Sequence, residues 1–143
     1  MNQAVSSFRS QRWQVALFVL LAALIFMNGY RQNHEFDDVH QVSVSEAKAL
    51  IDGGALVIDV RESEKFNTRH IPGAINIPLA ILQSGIPTSI AHAISQPVVV
   101  YCGDGVTTGP EGTRLLNQGG YKQAVNVQPG LQGWVEAGLP VQK

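Results

Sequence analysis

Cys102 is the single cysteine of this 143-residue chain. It stands where the β-branched run Val98, Val99, Val100 and the following Tyr101 give way to a turn made of Gly103, Asp104, Gly105, Val106, Thr107, Thr108 and Gly109. A strand that empties into such a turn, with a helix behind it, aims backbone N–H groups and a helix N-terminus at the sulfur and so favours its thiolate. Glycines at alternate positions let the backbone curl closely around one atom, which a small buried core cysteine would not require. The chemistry this pattern supports is that of a nucleophilic thiolate whose charge is held by loop amides from Gly103 to Thr108, with the Thr107 hydroxyl as an added donor.

Other chemistries are poorly supplied. One cysteine allows no internal disulfide, and no CxxC or Cys/His zinc pattern occurs. The four histidines, His34, His40, His70 and His92, have no metal-ligand spacing, so no metal and no organic cofactor are expected. From His34 onward seven Lys or Arg face eleven Asp or Glu, which excludes a basic face for nucleic acid.

These groups must be positioned by one domain, because 143 residues with 45% hydrophobic composition suffice for a single core once the N-terminal segment is set aside. In that segment Val15 to Met27 is an unbroken apolar run between Trp13 and Tyr30. Residues 13–30 make about 27 Å of helix against a ~30 Å hydrocarbon core, with aromatic rings at both ends, and read as a single-pass transmembrane helix. A cleaved signal peptide is the rival reading, although Met27 to Tyr30 offers no small-x-small cleavage site. Arg9 and Arg12 before the run, against Arg31 behind it, place residues 1–12 in the cytoplasm and the remainder in a periplasm if the source is bacterial. Residues 31–41 read as a polar tether and 42–143 as the folded domain.

Within 42–143, short apolar strands alternate with helices. Strands are expected at 42–44, 55–59, 74–77, 97–101 and 124–127. Helical segments are expected at 46–51 with Ser45 as N-cap, at 62–66, 79–83, 88–94 and 111–118, and at 131–137 with Trp134 buried. This alternation predicts an α/β fold with a parallel sheet covered on both faces and reactive groups beyond the strands' C-terminal ends, where Asp59 and Cys102 both fall. Gly109 and Gly112 are expected to weaken the first turn of the helix behind the cysteine by about 1 kcal/mol each relative to alanine.

Val57-Ile58-Asp59-Val60-Arg61-Glu62, Phe66, the run from His70 to Pro78, Val99-Val100-Tyr101-Cys102, and the closing Gly130, Trp134 and Ala137 to Val141 occur in an order that resembles the rhodanese (sulfurtransferase) domain over about residues 42 to 143. The resemblance implies a central five-stranded parallel sheet and a Cys102 that carries transferred sulfur as a persulfide. The turn Cys102-Gly103-Asp104-Gly105-Val106-Thr107 is similar to the Cys-Gly-Ser-Gly-Val-Thr form of mercaptopyruvate sulfurtransferases and differs from the Cys-Arg-Lys-Gly-Val-Thr form of thiosulfate sulfurtransferases. Partners would be a small sulfur donor and a thiol acceptor, with the membrane held through the N-terminal helix; the sequence names no protein partner.

By the same resemblance Arg61 lies near the pocket. It has two readings, an anion-binding group or a salt-bridged brace of its loop. Asp59 and His70 are expected as structural support. Arg69 replaces the glycine usual before the family's histidine and is either a surface side chain or a second cation at the mouth. Asp104 places a carboxylate where thiosulfate-specific members carry cations, which argues against thiosulfate as the preferred donor. A phosphatase of related topology would need an arginine six positions after the cysteine, and that position is Thr108. The alternative to catalysis is a docking or redox-sensing module at the membrane.

Overall fold

A computed structural model describes residue 14, residues 16–27 and residues 38–143. The apolar runs read as strands form β1 (Gln41–Val42), β2 (Leu56–Asp59), β3 (Ile75–Asn76), β4 (Val98–Tyr101) and β5 (Ala124–Val127). All pair in parallel in the order β1-β5-β4-β2-β3. The connecting helices are α1 (Val44–Asp52), α2 (Ser63–Thr68), α3 (Leu79–Ser84), a 3-10 helix (Thr88–Ala93), α4 (Thr108–Gln118) and α5 (Gly130–Glu136). Residues 38–143 thus form an α/β domain with a five-stranded parallel sheet.

Side chains alternate across β4 with the period of two that a strand imposes. Val98, Val100 and Cys102 join Ile58, Leu82, Ile90 and Leu116 on one face. Val99 and Tyr101 join Val57, Ala47, Leu131 and Trp134 on the other. Each fully buried valine or isoleucine here contributes roughly 1.5–3 kcal/mol, and both faces of β4 are saturated with them.

Two helix starts differ from expectation. Ser43, not Ser45, caps α1: its hydroxyl accepts the Glu46 N–H while the Glu46 carboxylate accepts the Ser43 N–H at 2.8 Å. The Ser-x-x-Glu spacing closes this reciprocal box, and Ser45 has no acid three residues on. Helix α4 begins at Thr108, ahead of Glu111, because its early glycines serve close packing. A Cβ on Gly112 would stand 2.9 Å from Val60 Cγ1.

The chain divides into Met1–Glu35 and Phe36–Lys143. Val39 is buried, 5% exposed, and the His40 carbonyl accepts the Asn126 N–H, so the folded unit includes the end of the segment read as a tether. In the first unit residues 16–27 are helical. The expected transmembrane helix at 13–30 is corrected here: among the described residues no helix is long and apolar enough to cross a membrane. The run 16–27 measures about 18 Å, well short of a ~30 Å hydrocarbon core. Trp13, Tyr30 and the arginines that set the expected orientation lie outside the described residues. The single-pass membrane localisation falls with the span.

Candidate active site

Adjacent strands β2 and β4 end in register, Asp59 beside Tyr101, so the turns that leave them lie side by side. The Val60 N–H donates to the Tyr101 carbonyl at 3.1 Å and ties the first turn to the second. Cys102 begins the second turn.

The sulfur lies at the root of its loop, 1% exposed. Of the loop N–H groups, that of Gly105 reaches Sγ, at 3.2 Å. The thiol itself donates to Asp104 Oδ1 at 3.3 Å. That same oxygen accepts the N–H of Val106 at 3.0 Å, the N–H of Thr107 at 3.3 Å and the Thr107 hydroxyl at 3.1 Å. Three donors expected on the sulfur therefore converge on a carboxylate two residues away. The Val106 N–H foremost, against partial desolvation and with help from the thiol and Thr107, holds Asp104 below the usual carboxylate range. Gly103 is exposed and Thr108 opens α4.

The loop keeps its shape because two glycines with positive φ face each other. Gly105 (φ +78°) has Val127 O and Gly130 N where a Cβ would sit, at 2.5 and 2.8 Å. Gly130 (φ +65°) would meet the Cys102 carbonyl and Gly105 N, each at 2.7 Å. The first turn of α5 then donates from Leu131 and Gln132 to the carbonyls of Cys102 and Gly103, at 2.9 and 3.0 Å.

Asn126 on β5 completes the bracing and was not singled out from the sequence. It is fully buried, and its Nδ2 donates to the Gly105 carbonyl at 2.8 Å and to Gln41 Oε1. Its Oδ1 and Cys102 Sγ crowd Gly109, whose Cβ would collide with the first and come 3.1 Å from the second. A polar residue inside the apolar strand Ala-Val-Asn-Val was the signal available.

In the neighbouring turn Asp59, fully buried, pairs with Arg61. Oδ1 accepts the Arg61 N–H and Nε–H, each at 2.9 Å, while Oδ2 accepts from Nη2 at 2.5 Å. Nη2 also donates to the Arg69 carbonyl at 2.8 Å, and the guanidinium lies 5.8 Å over the Tyr101 ring. Burial disfavours the guanidinium charge, but the Asp59 carboxylate outweighs it and raises Arg61 further. Burial, then the Asp59 charge, pushes the Tyr101 phenol well up, so its oxygen stays neutral and accepts the Ile71 N–H at 3.1 Å. Asn76 Nδ2 holds the carbonyls of Asp59 and Arg61.

His70 stands apart. Its ring stacks on Phe66 at 4.0 Å, its Nδ1 lies 3.0 Å from the Phe66 carbonyl, and its backbone bridges Gln142. Arg69 is exposed.

Two clefts flank the cysteine loop. One, of about 420 Å³, runs past Glu62, Lys65, Gln83, Thr107 and Thr108; the other, of about 480 Å³, past Arg69, Leu131, Gln132 and Val135. Arg61, Gly103 and Asp104 line both, and Cys102 lines neither. The arrangement offers a buried thiol, a cluster of main-chain donors and a guanidinium between two openings. Among the described residues no group of His, Cys, Asp and Glu could hold a metal ion.

The family model for the rhodanese-like domain matches residues 43–137. A thiosulfate sulfurtransferase, GlpE, of Haemophilus influenzae is 28% identical over 101 residues, which cover 71% of this chain and 92% of that protein. An HTH-type transcriptional regulator of Mycobacterium tuberculosis is 33% identical over 90 residues, 62% of this chain but only 38% of the regulator. Among solved structures a human single-domain sulfurtransferase superposes with a TM-score of 0.57 at 30% identity, over 67% of this chain and 95% of that one.

Proposed function

The chain belongs to the rhodanese-like domain family, with sulfurtransferases among its homologues, and on that premise we propose that it moves sulfane sulfur through a persulfide on Cys102. The observation that carries this reading is the Gly105 N–H on Cys102 Sγ at 3.2 Å, at the C-terminal end of the central strand and beside the N-terminus of α4. That N–H is a main-chain donor already placed on the sulfur, where it can hold the charge that develops during transfer.

In the first half-reaction the Cys102 thiolate attacks the outer sulfur of a donor. The Sγ–S bond forms as the donor's bond to that sulfur breaks, and the departing group keeps the electron pair. In the second, an acceptor thiolate or cyanide attacks the outer sulfur and Cys102 leaves as the thiolate. Arg61 lines both clefts and its Nη1 takes no part in the Asp59 pair, so it contributes positive charge at the mouth. Arg69 adds charge to one cleft. Asp59, Asn76, Asn126 and Gly130 act through these groups as positioning residues.

Intact-protein mass spectrometry after incubation with thiosulfate, mercaptopyruvate or polysulfide tests the reading. A gain of one sulfur, about 32 Da, on the wild type and none on Cys102→Ser is expected. No adduct from any of the three donors would leave a non-catalytic binding module instead.

A further inference from the structure

The donors that converge on Asp104 Oδ1 are those a sulfur anion on Cys102 would seek. Val106 N–H, Thr107 N–H and the Thr107 hydroxyl meet at that oxygen, which stands 3.3 Å from Sγ. A persulfide extends the side chain by one S–S bond of about 2.05 Å. Directed at those donors, the outer sulfur falls inside the 3.3 Å gap and overlaps the carboxylate. Nor do the charges tolerate sharing. The outer sulfur of a persulfide is anionic at neutral pH, and the carboxylate has no cation in any bond that holds it. Two like charges at bonding distance repel strongly in a partly dry loop. Room for displacement exists, since Asp104 lines both flanking clefts.

We propose that the Asp104 carboxylate is an internal occupant of the anion cradle: it sits there while Cys102 is unloaded, is displaced when Cys102 carries the outer sulfur, and returns as that sulfur is passed on. This rests on the persulfide reading above and adds a direction to it. Return of the carboxylate to three vacated donors favours discharge over storage, so Asp104 makes the protein a quick deliverer of sulfur rather than a reservoir. In discharge to cyanide, the cyanide carbon bonds to the outer sulfur, the Sγ–S bond breaks with its pair on Sγ, and the cradle passes from sulfur to carboxylate.

The test uses the full chain and two variants, Asp104→Ala, which empties the cradle, and Asp104→Asn, which fills it with a neutral amide. Each protein is loaded with sodium polysulfide, freed of excess and mixed with cyanide, and the loss of the 32 Da adduct is timed. Asp104→Ala is expected to discharge roughly tenfold more slowly than wild type, the scale of one charge-assisted hydrogen bond, with Asp104→Asn between them. On unloaded protein the ratio of Cys102 alkylation by iodoacetate to that by iodoacetamide is expected to rise several-fold more in Asp104→Ala than in Asp104→Asn, because both lack the charge but only one vacates the donors. Equal discharge rates from loaded proteins, or equal alkylation ratios in the two variants, would overturn the proposal alone. No adduct on any of the three proteins would overturn it together with the persulfide reading.

Discussion

The turns that leave β2 and β4 use one local device to different ends. In each, an aspartate accepts the N–H of the residue two positions on, Asp59 from Arg61 and Asp104 from Val106. Asp59 is fully buried and fork-paired with a guanidinium; Asp104 is half-buried and held by neutral donors and the thiol. A buried carboxylate with a fixed counter-ion is a permanent brace, since either partner alone would be a stranded charge. A carboxylate held by neutral donors alone can trade places with another anion. The first turn therefore sets the geometry of the site and the second is free to take part in its chemistry.

Removing each aspartate should separate the two roles most sharply. Asp59→Ala strands the Arg61 guanidinium, whose side chain is 10% exposed, and is expected to cost about 3 kcal/mol in urea unfolding. Asp104→Ala should change stability by less than about 1 kcal/mol. Comparable losses would erase the distinction. Gly109→Ala probes the wall shared by Sγ and Asn126. Its Cβ has no room, so a loss of roughly 2 kcal/mol is expected, together with slower alkylation of Cys102 as the loop shifts.

Asp104→Lys converts the second turn to the charge of the first turn's arginine. Thiosulfate turnover should rise by roughly fivefold, read as the ratio of kcat/KM to wild type; an unchanged or lower value would remove the link between loop charge and donor choice. The smallest effect concerns acid. Asp104 is held below its ordinary range in the fold, so its stabilisation is complete above the unfolded carboxylate range near pH ~4 and is lost as pH falls through the lower folded value. Asp104→Asn should flatten the stability curve in that window, and an identical acid slope in both proteins would mean that the carboxylate's contacts do not persist in solution.

Much of the fold could be read in advance because β-branched runs and turn glycines agree with the topology. All five strands and their covering helices fall near the places that Val57, Val99 or Val125 and the flanking glycines indicate. What the pattern did not disclose within residues 38–143 shares a cause, since each point turned on where a side chain reaches rather than on which element carries it. Gly109 and Gly112 were legible as a weak first turn of α4, but not as the points where Asn126, Cys102 and Val60 leave no room for a Cβ. Asp104 was legible as a charge near Cys102, but pattern does not disclose that its own oxygen would take the Val106 and Thr107 amides. Asn126 drew no reading from the sequence, and the register of β5 beside β4 puts its amide on Gly105. At the N-terminus an apolar run gave the right local structure over 16–27 but too long a span.

The order β1-β5-β4-β2-β3 puts the strand that leads into Cys102 in the middle, and the outermost strands are only two residues long. Fraying starts at such edges and needs one further strand, β5 or β2, to detach before it reaches Val98–Tyr101. Amide protons of β4 should consequently exchange with deuterium at the rate of global unfolding, while those of Val42 and Asn76 exchange through local opening. The sulfur thus hangs from the slowest-moving part of the backbone, and loop rearrangements around it leave that anchor undisturbed.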